Sequence, residues 1–525
     1  MANSFITQLG KDITMSETVR TENGAVMHKT SGKALVDFFF KVPSLRKGSF
    51  DEVLADLCNA YAEDPSTFIA LMFYIRDIRG SGLGERNIFL HAFRYIAERH
   101  INLAKKLADE IPEYGCWRDV VRLYAVFSDG TNDSLANYMA KMMQKQLNSD
   151  VAEIAKKKPK SISLLAKWLP SDNTSSRATR QIAYRLMRDW HMTKSEYRST
   201  LVKLRKHLRV VECQMTEGDW GEIDYNAVPS NANARYKDAF LRHDTERRKE
   251  YLSSVKKGEA KINASVLYPY EVAAKYRNGH GCGIDDALEL MWKNLKDIKM
   301  TRPCIVVADG SGSMCSHVSN SVTAHDIADS LAIYCSERLP GDYKNKYITF
   351  SSRPQYVDFG KCTSLWDKLI IAQAHDECAN TNIEAVFDLI LKTAVRSHAT
   401  EIPDILVISD MEFDDATNGH RMWYGNEVEF ASADETLFQK IARRYAEAGV
   451  KMPRLSFWNV NSRTNGIPVR EGPGGTALLS GYSPNVLKLA LSGEATPYGV
   501  LLEALKDERY DRIRKLARRY IKNTK

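Results

Sequence analysis

Apolar residues recur at intervals of three and four through most of residues 34 to 300, which is the spacing of amphipathic helices. Glycine, proline, asparagine and aspartate interrupt the pattern at the segment ends. The helical segments are ALVDFFFKV, FDEVLADLCNAYAED, STFIALMFYIRDIRG, NIFLHAFRYIAERHINLAKKLADEI, WRDVVRLYAVFSD, SLANYMAKMMQKQLNSDVAEIAKK and SISLLAKWL. Short helices in series are typical of an α-solenoid, although no sequence period is visible. Residues 211–262 are less regular, and we predict a long connection there.

The pattern changes after residue 300. Short, nearly continuous apolar runs rich in β-branched residues alternate with helical stretches. The runs are PCIVVAD, KYITFS, PDILVISD and RLSFWNV, and the helical stretches are AHDIADSLAIYCSERL, TNIEAVFDLILKTAVRS and ETLFQKIARRYAEAG. Strands that are buried on both faces and alternate with helices predict a doubly wound parallel sheet over residues 301–495. A basic helix over residues 497–521 follows it.

The sequence therefore predicts a multidomain α and α/β protein, with a helical domain over 1–300 and an α/β domain over 301–525. Charge separates the same halves: residues 1–300 hold 47 lysines and arginines against 38 acidic residues, and residues 301–525 hold 27 against 28. The excess is densest in residues 151–210, with 15 basic and 4 acidic residues. A basic half and a neutral half suggest different partners.

Composition and cysteine spacing predict the compartment. The chain has 44% hydrophobic and 27% charged residues, and neither a signal peptide nor a membrane-spanning run is visible. Its nine cysteines are scattered and never spaced as CxxC, which argues against a disulfide framework or a structural zinc site. We expect a cytoplasmic protein without a membrane partner.

Oxygen-bearing side chains follow two predicted strands. Asp309, Ser311 and Ser313 lie at the end of the first strand, and Asp410 ends another strand of the same predicted sheet. Thr381 precedes a helix between them. In doubly wound sheets, ligands bind beyond the carboxyl ends of the strands. Carboxylate and hydroxyl oxygens suit Mg²⁺ or Mn²⁺.

Two other interpretations of this loop remain open. The serines can serve only as turn hydrogen-bonding groups, with Asp309 capping the next helix. Cys315 and His317 follow closely and suggest a transition metal, but these softer ligands would have to displace the all-oxygen set. The presence of both distal ligands, in the expected chain order, favours the site for a hard divalent cation.

The DxSxS pattern of Asp309, Ser311 and Ser313, with the later Thr381 and Asp410, resembles the metal-ion-dependent adhesion site of von Willebrand factor A domains. The resemblance implies a Rossmann-like domain in which the serines coordinate Mg²⁺ (or Mn²⁺) directly. It also implies that the threonine binds in one state and that the aspartates act partly through water. A carboxylate from an acidic protein partner fills the remaining position in that family.

The resemblance extends along the whole chain. A helical region followed by such a domain is similar to TROVE proteins, the Ro autoantigen family, and still more to an uncharacterised TROVE-like family. The segments that carry it include FYIRDIRGSGLGERN, EYGCWRDVVRLY, SLLAKWLPS, YRSTLVKLRKHL, IDYNAVPSNA, VISDMEFDD and ALLSGYSPNVLKLAL. The Ro resemblance implies a monomeric ring of HEAT-like repeats that holds single-stranded RNA ends in its hole and structured non-coding RNA outside.

Two predicted helices offer a basic face for RNA phosphates. Four arginines of SRATRQIAYRLMRDW share a sector of about 140° on a helical wheel, opposite an apolar side. The leucines of YRSTLVKLRKHLR leave its cations outside a narrow apolar stripe. The candidate residues are Arg177, Arg180, Arg185, Arg188, Lys203, Arg205, Lys206 and Arg209. A solvated helix face is the alternative, but such a face usually carries acidic partners four residues away, and these helices nearly lack them.

The sequence thus predicts a non-enzymatic RNA-binding protein of Ro type, a ribonucleoprotein component with a metal-dependent adhesion site. A metal-bridged protein scaffold without RNA is the alternative. A metal-dependent phosphoesterase is a third hypothesis, which lacks a second metal cluster, a P-loop or a nucleophile chain in the sequence. Salt-sensitive RNA binding, EDTA-sensitive protein binding and turnover, respectively, distinguish the three.

Overall fold

The computed structural model describes residues 18–158, 161–278, 283–298, 300, 302–319, 321–399, 401–414, 436–464, 466–469, 475–490, 492, 494 and 496–522. The chain divides into two compact units, each built from two separate stretches. The sheet unit comprises Met1–Asp64 and Ala264–Lys506. The helical unit comprises Pro65–Asn263 and Asp507–Lys525. The change from helices to strands near residue 300 therefore lies inside the sheet unit.

All strands of the described residues belong to the sheet unit. They are β1 (Thr18–Arg20), β2 (Val26–His28), β3 (Cys304–Asp309), β4 (His317–Ser319), β5 (Val322–Thr323), β6 (Lys346–Phe350), β7 (Pro354–Asp358), β8 (Asp404–Ser409), β9 (Leu455–Asn459) and β10 (Thr476–Ser480). Six of them form a sheet in the order β10-β9-β8-β3-β6-β7. The first five strands in that order are parallel, and β7 is antiparallel to β6. The pairs β1–β2 and β4–β5 are antiparallel.

The central strands form where the sequence is continuously apolar. All five residues of β9 and of β10 are buried, and β3 has a single half-buried position. Strands β3, β6, β8 and β9 confirm the four predicted runs. The prediction missed both edge strands of this sheet, β10 and β7. Only Val357 of β7 is buried, so that strand has no continuous apolar run.

Helices of the sheet unit include segments from both ends of the chain. They are α1 (Ala34–Leu45), α2 (Phe50–Glu63), α14 (Pro269–Asn278), α15 (Asp286–Lys293), α16 (Ala324–Ser336), α17 (Leu365–Ala374), α18 (Ile383–Arg396), α19 (Leu437–Glu447), α20 (Val486–Ala490) and α21 (Pro497–Ala504). Helix α1 packs on β10, and the Asn459 side chain donates to the Phe40 carbonyl at 2.9 Å. Phe38, Phe39 and Phe40 are all buried, so α1 is enclosed by the core of this unit.

The helical unit contains the remaining helices: α3 (Pro65–Arg76), α4 (Asn87–Arg99), α5 (Ile101–Tyr114), α6 (Trp117–Val126), α7 (Asp133–Ile154), α8 (Leu165–Trp168), α9 (Arg177–Asp189), α10 (Lys194–His207), α11 (Val211–Glu217), α12 (Ser230–His243), α13 (Thr245–Lys257) and α22 (Glu508–Lys522). The long connection predicted over residues 211–262 is wrong, because α11, α12 and α13 occupy that stretch. Their buried side chains mix apolar residues such as Phe240 and Tyr251 with polar ones such as Asn233 and Arg248, so the helical period is faint.

The C-terminal helix α22 is part of the helical unit. Its Tyr510 hydroxyl donates to Asp77 Oδ2 at 2.8 Å, and its ring meets Tyr74 edge-on with centroids 5.5 Å apart. Arg509 Nε also donates to Asp77 Oδ2 at 2.9 Å. The basic helix predicted at the end of the chain therefore contributes to the core of the helical unit through its apolar face and one buried carboxylate.

Within the part of the chain that the structure describes, no helix combines the length and apolar character needed to cross a bilayer. The cysteines among the described residues are free.

Candidate functional site

The loop after β3 begins with a carboxylate locked in place by its neighbours. Asp309 is fully buried, and its Oδ1 accepts the Ser311 backbone N–H at 3.0 Å. The Ser409 hydroxyl, at the end of the adjacent strand β8, donates to Asp309 Oδ2 at 2.5 Å. Because β3 and β8 are parallel neighbours, their carboxyl ends meet, as the sequence pattern predicts.

Gly310 allows this loop to pass close to β6. A Cβ atom at this position would lie 2.8 Å from Thr349 Oγ1, which is closer than ordinary packing permits. The Gly310 carbonyl in turn accepts the Cys378 backbone N–H at 3.0 Å. The glycine of the DxSxS pattern is therefore required by the tight contact between two loops at the sheet edge.

Four predicted ligands form one connected group. The Ser311 and Ser313 hydroxyl oxygens are 3.0 Å apart, and Ser313 donates to Asp410 Oδ1 at 3.3 Å. Asp410 follows β8, is fully buried and also accepts the Glu412 backbone N–H at 3.2 Å. With Asp309, these side chains present carboxylate and hydroxyl oxygens to a single place. We call Asp309, Ser311, Ser313, Thr381 and Asp410 the adhesion site.

Thr381 joins this group through a residue that the sequence analysis missed. Its buried hydroxyl accepts Asn23 Nδ2 at 2.9 Å, and the same amide donates to the Glu412 carbonyl at 2.7 Å. Asn23 lies in the turn between β1 and β2, almost 360 residues before Thr381. The signal in the sequence is only the Asn-Gly pair of a tight turn, which does not indicate its distant neighbours.

Glu412 is a second residue that sequence reasoning did not single out. Its side chain is buried and accepts the backbone N–H groups of Glu22, Arg463 and Thr464 at 3.0, 2.7 and 2.8 Å. It therefore ties the turn after β1 and the loop after β9 to the segment that carries Asp410. The adhesion site is held by hydrogen bonds from three parts of the sheet unit.

The electrostatics of the adhesion site suit a divalent cation. Burial raises the pKa of Asp309, and burial together with Asp309 and Glu412 raises the pKa of Asp410 well above its usual value. Asp410 Oδ2 is buried and accepts no hydrogen bond from the described residues. The Arg463 guanidinium, 3.6 Å from this oxygen, supplies one positive charge from a partly exposed position. The all-oxygen donor set with an unsatisfied carboxylate oxygen fits Mg²⁺ or Mn²⁺.

The eight residues of the predicted basic face fall into two groups in the structure, one bound to neighbouring groups of the protein and one exposed. Arg180 donates to the Thr174 carbonyl at 2.6 Å, Arg188 pairs with Asp189 at 2.9 Å, and Arg185 forms an ion pair with Asp129. Arg205 donates to the carbonyls of Ala166 and Leu169 at 2.9 and 2.7 Å and to Ser171 at 2.8 Å. Exposed side chains without a hydrogen bond or ion pair to described residues are Arg177, Lys203, Lys206 and Arg209.

The helical unit contains a second basic group that sequence reasoning missed, the arginine cluster of Arg86, Arg118, Arg122 and Arg235. Burial and the charges of Arg86 and Arg235 hold the pKa of Arg118 below its usual value. Burial and the charges of Arg118 and Arg86 do the same for Arg122. Arg118 and Arg122 are four residues apart on α6, so they share a face. The four-residue spacing of the arginines in WRDVVRLY is the sequence signal from which this shared face could have been predicted.

The acidic residue nearest the arginine cluster is already neutralised. Asp119 is fully buried and binds Arg76 Nε through Oδ2 at 2.8 Å and Arg86 Nε through Oδ1 at 2.6 Å. Neither Arg118 nor Arg122 forms an ion pair with a described residue. Two arginines therefore share one face of α6 with no ion-paired counterion among the described residues, an arrangement that favours binding of an anion.

Aromatic rings near these cations differ in exposure. Trp190 is buried and donates to the Ala140 carbonyl at 2.9 Å, so it belongs to the core. Trp168 is half-buried, with the Arg118 guanidinium 5.4 Å from its ring centroid. Tyr184 is 40% exposed, and Lys194 lies 4.9 Å from its ring. Two of the three aromatic residues thus lie next to basic groups with part of the ring accessible.

Comparisons with known proteins match most of the chain to families without an assigned activity. The model of the domain of unknown function DUF2828 matches residues 21–138 and 125–302, which is more than half of the chain. The model of the domain of unknown function DUF7788 matches residues 303–518. An uncharacterized protein, L728, of Acanthamoeba polyphaga mimivirus is 27% identical over 522 residues, covering 92% of this chain and 86% of its own.

Among solved structures, the crystal structure of the Ro (RSR) protein of Deinococcus radiodurans aligns with a TM-score of 0.34 and 14% identity. The alignment covers 88% of this chain and 93% of that chain.

Proposed function

Because the chain belongs to the DUF2828 family, whose description assigns no activity, we propose its function from its own side chains: it is a non-catalytic RNA-binding protein with a divalent-cation site. The arginine cluster carries this proposal. Arg118 and Arg122 lie on one face of α6 without an ion-paired acidic partner among the described residues, and burial beside other arginines lowers the pKa of both guanidinium groups. RNA phosphates supply closely spaced negative charges that match such a group.

Further features of the helical unit support RNA over a small anion. Exposed cations on α9 and α10, among them Arg177, Lys203 and Lys206, add positions for phosphates along a strand. Trp168, beside Arg118, and Tyr184, beside Lys194, offer partly accessible rings on which bases can stack. We therefore propose single-stranded ends or hairpins of non-coding RNA as ligands, in the manner that the Ro resemblance implies for a ring of HEAT-like repeats.

Anisotropy of a labelled single-stranded RNA and a labelled hairpin, titrated between about 50 and 200 mM salt, tests the proposal. Removing both charges in an Arg118→Gln/Arg122→Gln variant is expected to weaken binding at least about tenfold and to reduce the salt slope by about two. The cause is the loss of two phosphate contacts and of the counterions that they release.

The matched control is Arg94→Gln/Arg99→Gln, which removes the same charge from α4. There Arg94 pairs with Glu98 at 2.9 Å, and Arg99 lies over the Tyr95 ring at 3.6 Å. This control is expected to retain most of the affinity and slope. An equal loss in both variants would assign binding to net charge alone, and no measurable binding by the unmodified protein would contradict the proposal.

We further propose that the sheet unit is a von Willebrand factor A domain whose adhesion site holds Mg²⁺ or Mn²⁺. Asp309, Ser311, Ser313 and Asp410 would hold the ion, with Thr381 at the same edge. The ion would supply a positive charge that takes a carboxylate from a partner. Asp309 and Asp410 are positioned by Ser409 and by the Glu412 backbone, so this chain provides a preorganised set of oxygens.

The unsatisfied Asp410 Oδ2 favours a second candidate function, a metal-bridged protein scaffold without RNA. A partner with an acidic segment would complete the shell of the bound ion. Capture of such a partner that is lost in EDTA and in Ser311→Ala, but survives Arg118→Gln/Arg122→Gln and nuclease, would favour the scaffold. Retention in Ser311→Ala would exclude metal-bridged contact.

A further inference from the structure

A second group of metal-ligating side chains lies in the sheet unit, outside the adhesion site. His325 and Asp329 are one turn apart on α16, so both side chains point to the same side of that helix. Asp376 follows the end of α17 and meets them from another segment. One ligand atom of each residue lies within 4.8 Å of the others. We call these three residues the His325 triad.

The triad is compact enough to surround one ion. His325 Nε2 is 2.9 Å from Asp376 Oδ1 and 3.8 Å from Asp329 Oδ1. Ligands about 2.0–2.2 Å from a metal ion are separated from each other by about 3 Å or slightly more. The His325, Asp329 and Asp376 side chains are only 10%, 3% and 7% exposed. Apart from this ion-pair contact with each other, His325 Nε2 and Asp376 Oδ1 are buried and have no hydrogen-bond partner among the described residues.

The charge balance around the triad leaves room for a cation. Arg277 donates to Asp326 Oδ1 at 2.7 Å and pairs with Asp329 through its other nitrogen. One guanidinium therefore serves two carboxylates, while Asp376 adds a third. Once a metal ion has displaced the imidazole proton, the three carboxylates and the one guanidinium leave a net charge of −2, which one divalent ion balances.

We propose that His325, Asp329 and Asp376 bind one first-row divalent cation, with Zn²⁺ as the best match, in a site distinct from the adhesion site. One imidazole nitrogen and two carboxylate oxygens form a mixed set that suits Zn²⁺ better than Mg²⁺. Three protein ligands leave a fourth position for water. This site does not depend on RNA binding, because its ligands all belong to the sheet unit.

A cation here would fix the loop of the adhesion site. A Cβ on Gly310 would lie 3.5 Å from Asp376 Oδ1, so the triad borders the chain between Asp309 and Ser311. Two residues after Asp376, the Cys378 backbone N–H donates to the Gly310 carbonyl at 3.0 Å. The ion would tie α16 to this loop and hold Gly310 in place. The His325 triad would thus act as a positioning site for the adhesion site.

The experiment uses the full chain, stripped of metal, with Asp309→Asn/Asp410→Asn as background to silence the adhesion site. Zn²⁺ is titrated calorimetrically, and Co²⁺ is added in parallel because its visible absorption reports a nitrogen-containing shell of low coordination number. In this background about one equivalent of Zn²⁺ is expected to bind, with release of protons from the ligands.

Adding His325→Gln is expected to abolish that equivalent and the Co²⁺ absorption, and Asp376→Asn, which keeps the side-chain shape, is expected to weaken Zn²⁺ binding at least about tenfold. His317→Gln is the matched control: an exposed histidine of the same unit, next to the cysteine of the alternative soft site. It is expected to leave Zn²⁺ binding unchanged.

The proposal would be overturned if a folded Asp376→Asn protein bound Zn²⁺ as tightly as the background protein. It would also be overturned if His317→Gln lost Zn²⁺ binding. Absence of Zn²⁺ binding in the background protein would also overturn it and would identify the triad as an ion-pair cluster. None of these results bears on RNA binding, so failure of this site and failure of the proposed function are separable.

Discussion

Replacing Asp119 with alanine is expected to lower the free energy of unfolding of the helical unit by about 3–5 kcal/mol. Asp119 is fully buried between two guanidinium groups, of which that of Arg76 is only 1% exposed. Without the carboxylate, Arg76 keeps a buried charge with no counterion. Asp119 also accepts the Cys116 backbone N–H at 3.0 Å at the start of α6, so the helix loses its cap as well.

Urea unfolding followed by circular dichroism measures this effect. The control is Glu98→Ala, which breaks the exposed pair with Arg94 and should cost no more than about 1 kcal/mol. If Asp119→Ala lowered the free energy of unfolding by less than about 1 kcal/mol, the buried ion pair would not stabilise the helical unit as expected. An Arg76→Met/Asp119→Leu double variant should recover much of the loss, because neither charge then remains buried.

Protonation of Asp119 makes the free energy of unfolding of the helical unit depend on pH. Burial raises the pKa of Asp119, but Arg76 and Arg86 lower it more, so its pKa lies below the ordinary value of 3.8. Because the pKa of Asp119 is lower in the folded protein, the unfolded chain takes up the proton at a higher pH than the folded chain does. The contribution of Asp119 to the free energy of unfolding is therefore complete above pH 3.8 and decreases as the pH falls toward the pKa of the folded state. The difference in unfolding free energy between the unmodified protein and Asp119→Ala should therefore narrow below about pH 4.

The second large effect is expected for Asp410→Asn, with opposite signs in the absence and presence of metal. In EDTA this variant should be more stable than the unmodified protein by about 1–3 kcal/mol, because an asparagine avoids the cost of burying or protonating a carboxyl group with a raised pKa, whose Oδ2 lacks a hydrogen bond. The amide oxygen can still accept from the Glu412 N–H and from Ser313. Repulsion with buried Asp309 is removed as well.

With Mg²⁺ the order should reverse. The unmodified protein is expected to gain about 2.7 kcal/mol at a concentration about 100 times the dissociation constant, whereas the variant gains almost nothing. Thermal unfolding with a Mg²⁺ series and with EDTA measures both effects. Asp404→Asn, at the opposite end of β8, is the control, since Asp404 is partly exposed and lies near Arg454. If Mg²⁺ stabilised Asp410→Asn as much as the unmodified protein, Asp410 would not be a ligand of the metal ion.

Most of the adhesion site could be predicted from the sequence because its ligands follow local patterns. An apolar run followed by DxSxS fixes where β3 ends, and VISD fixes where β8 ends. Once the two strands are parallel neighbours, their polar ends must meet. Asn23 and Glu412 could not be found in this way, because their partners are backbone and side-chain groups of segments distant in sequence.

The basic surfaces show the limit of helical periodicity. The wheel places Arg205 outside the apolar stripe, but the structure turns it onto the carbonyls that end α8. Arg118 and Arg122 were not predicted from the sequence, in which their segment also contains Asp119, an acidic residue that could pair with either of them. Only the structure shows that Asp119 is already occupied by Arg76 and Arg86.

By itself, the sequence determined most of the helices, the strands β3, β6, β8 and β9 and the DxSxS loop of this protein, since each depends on the spacing of side chains along one segment. Only the tertiary structure decided that α1 and α2 belong with the sheet and α22 with the helical unit. It also decided which arginines keep a free charge and which segments build the His325 triad. Burial and charge neutralisation arise between segments far apart in the chain, and periodicity contains no information about them.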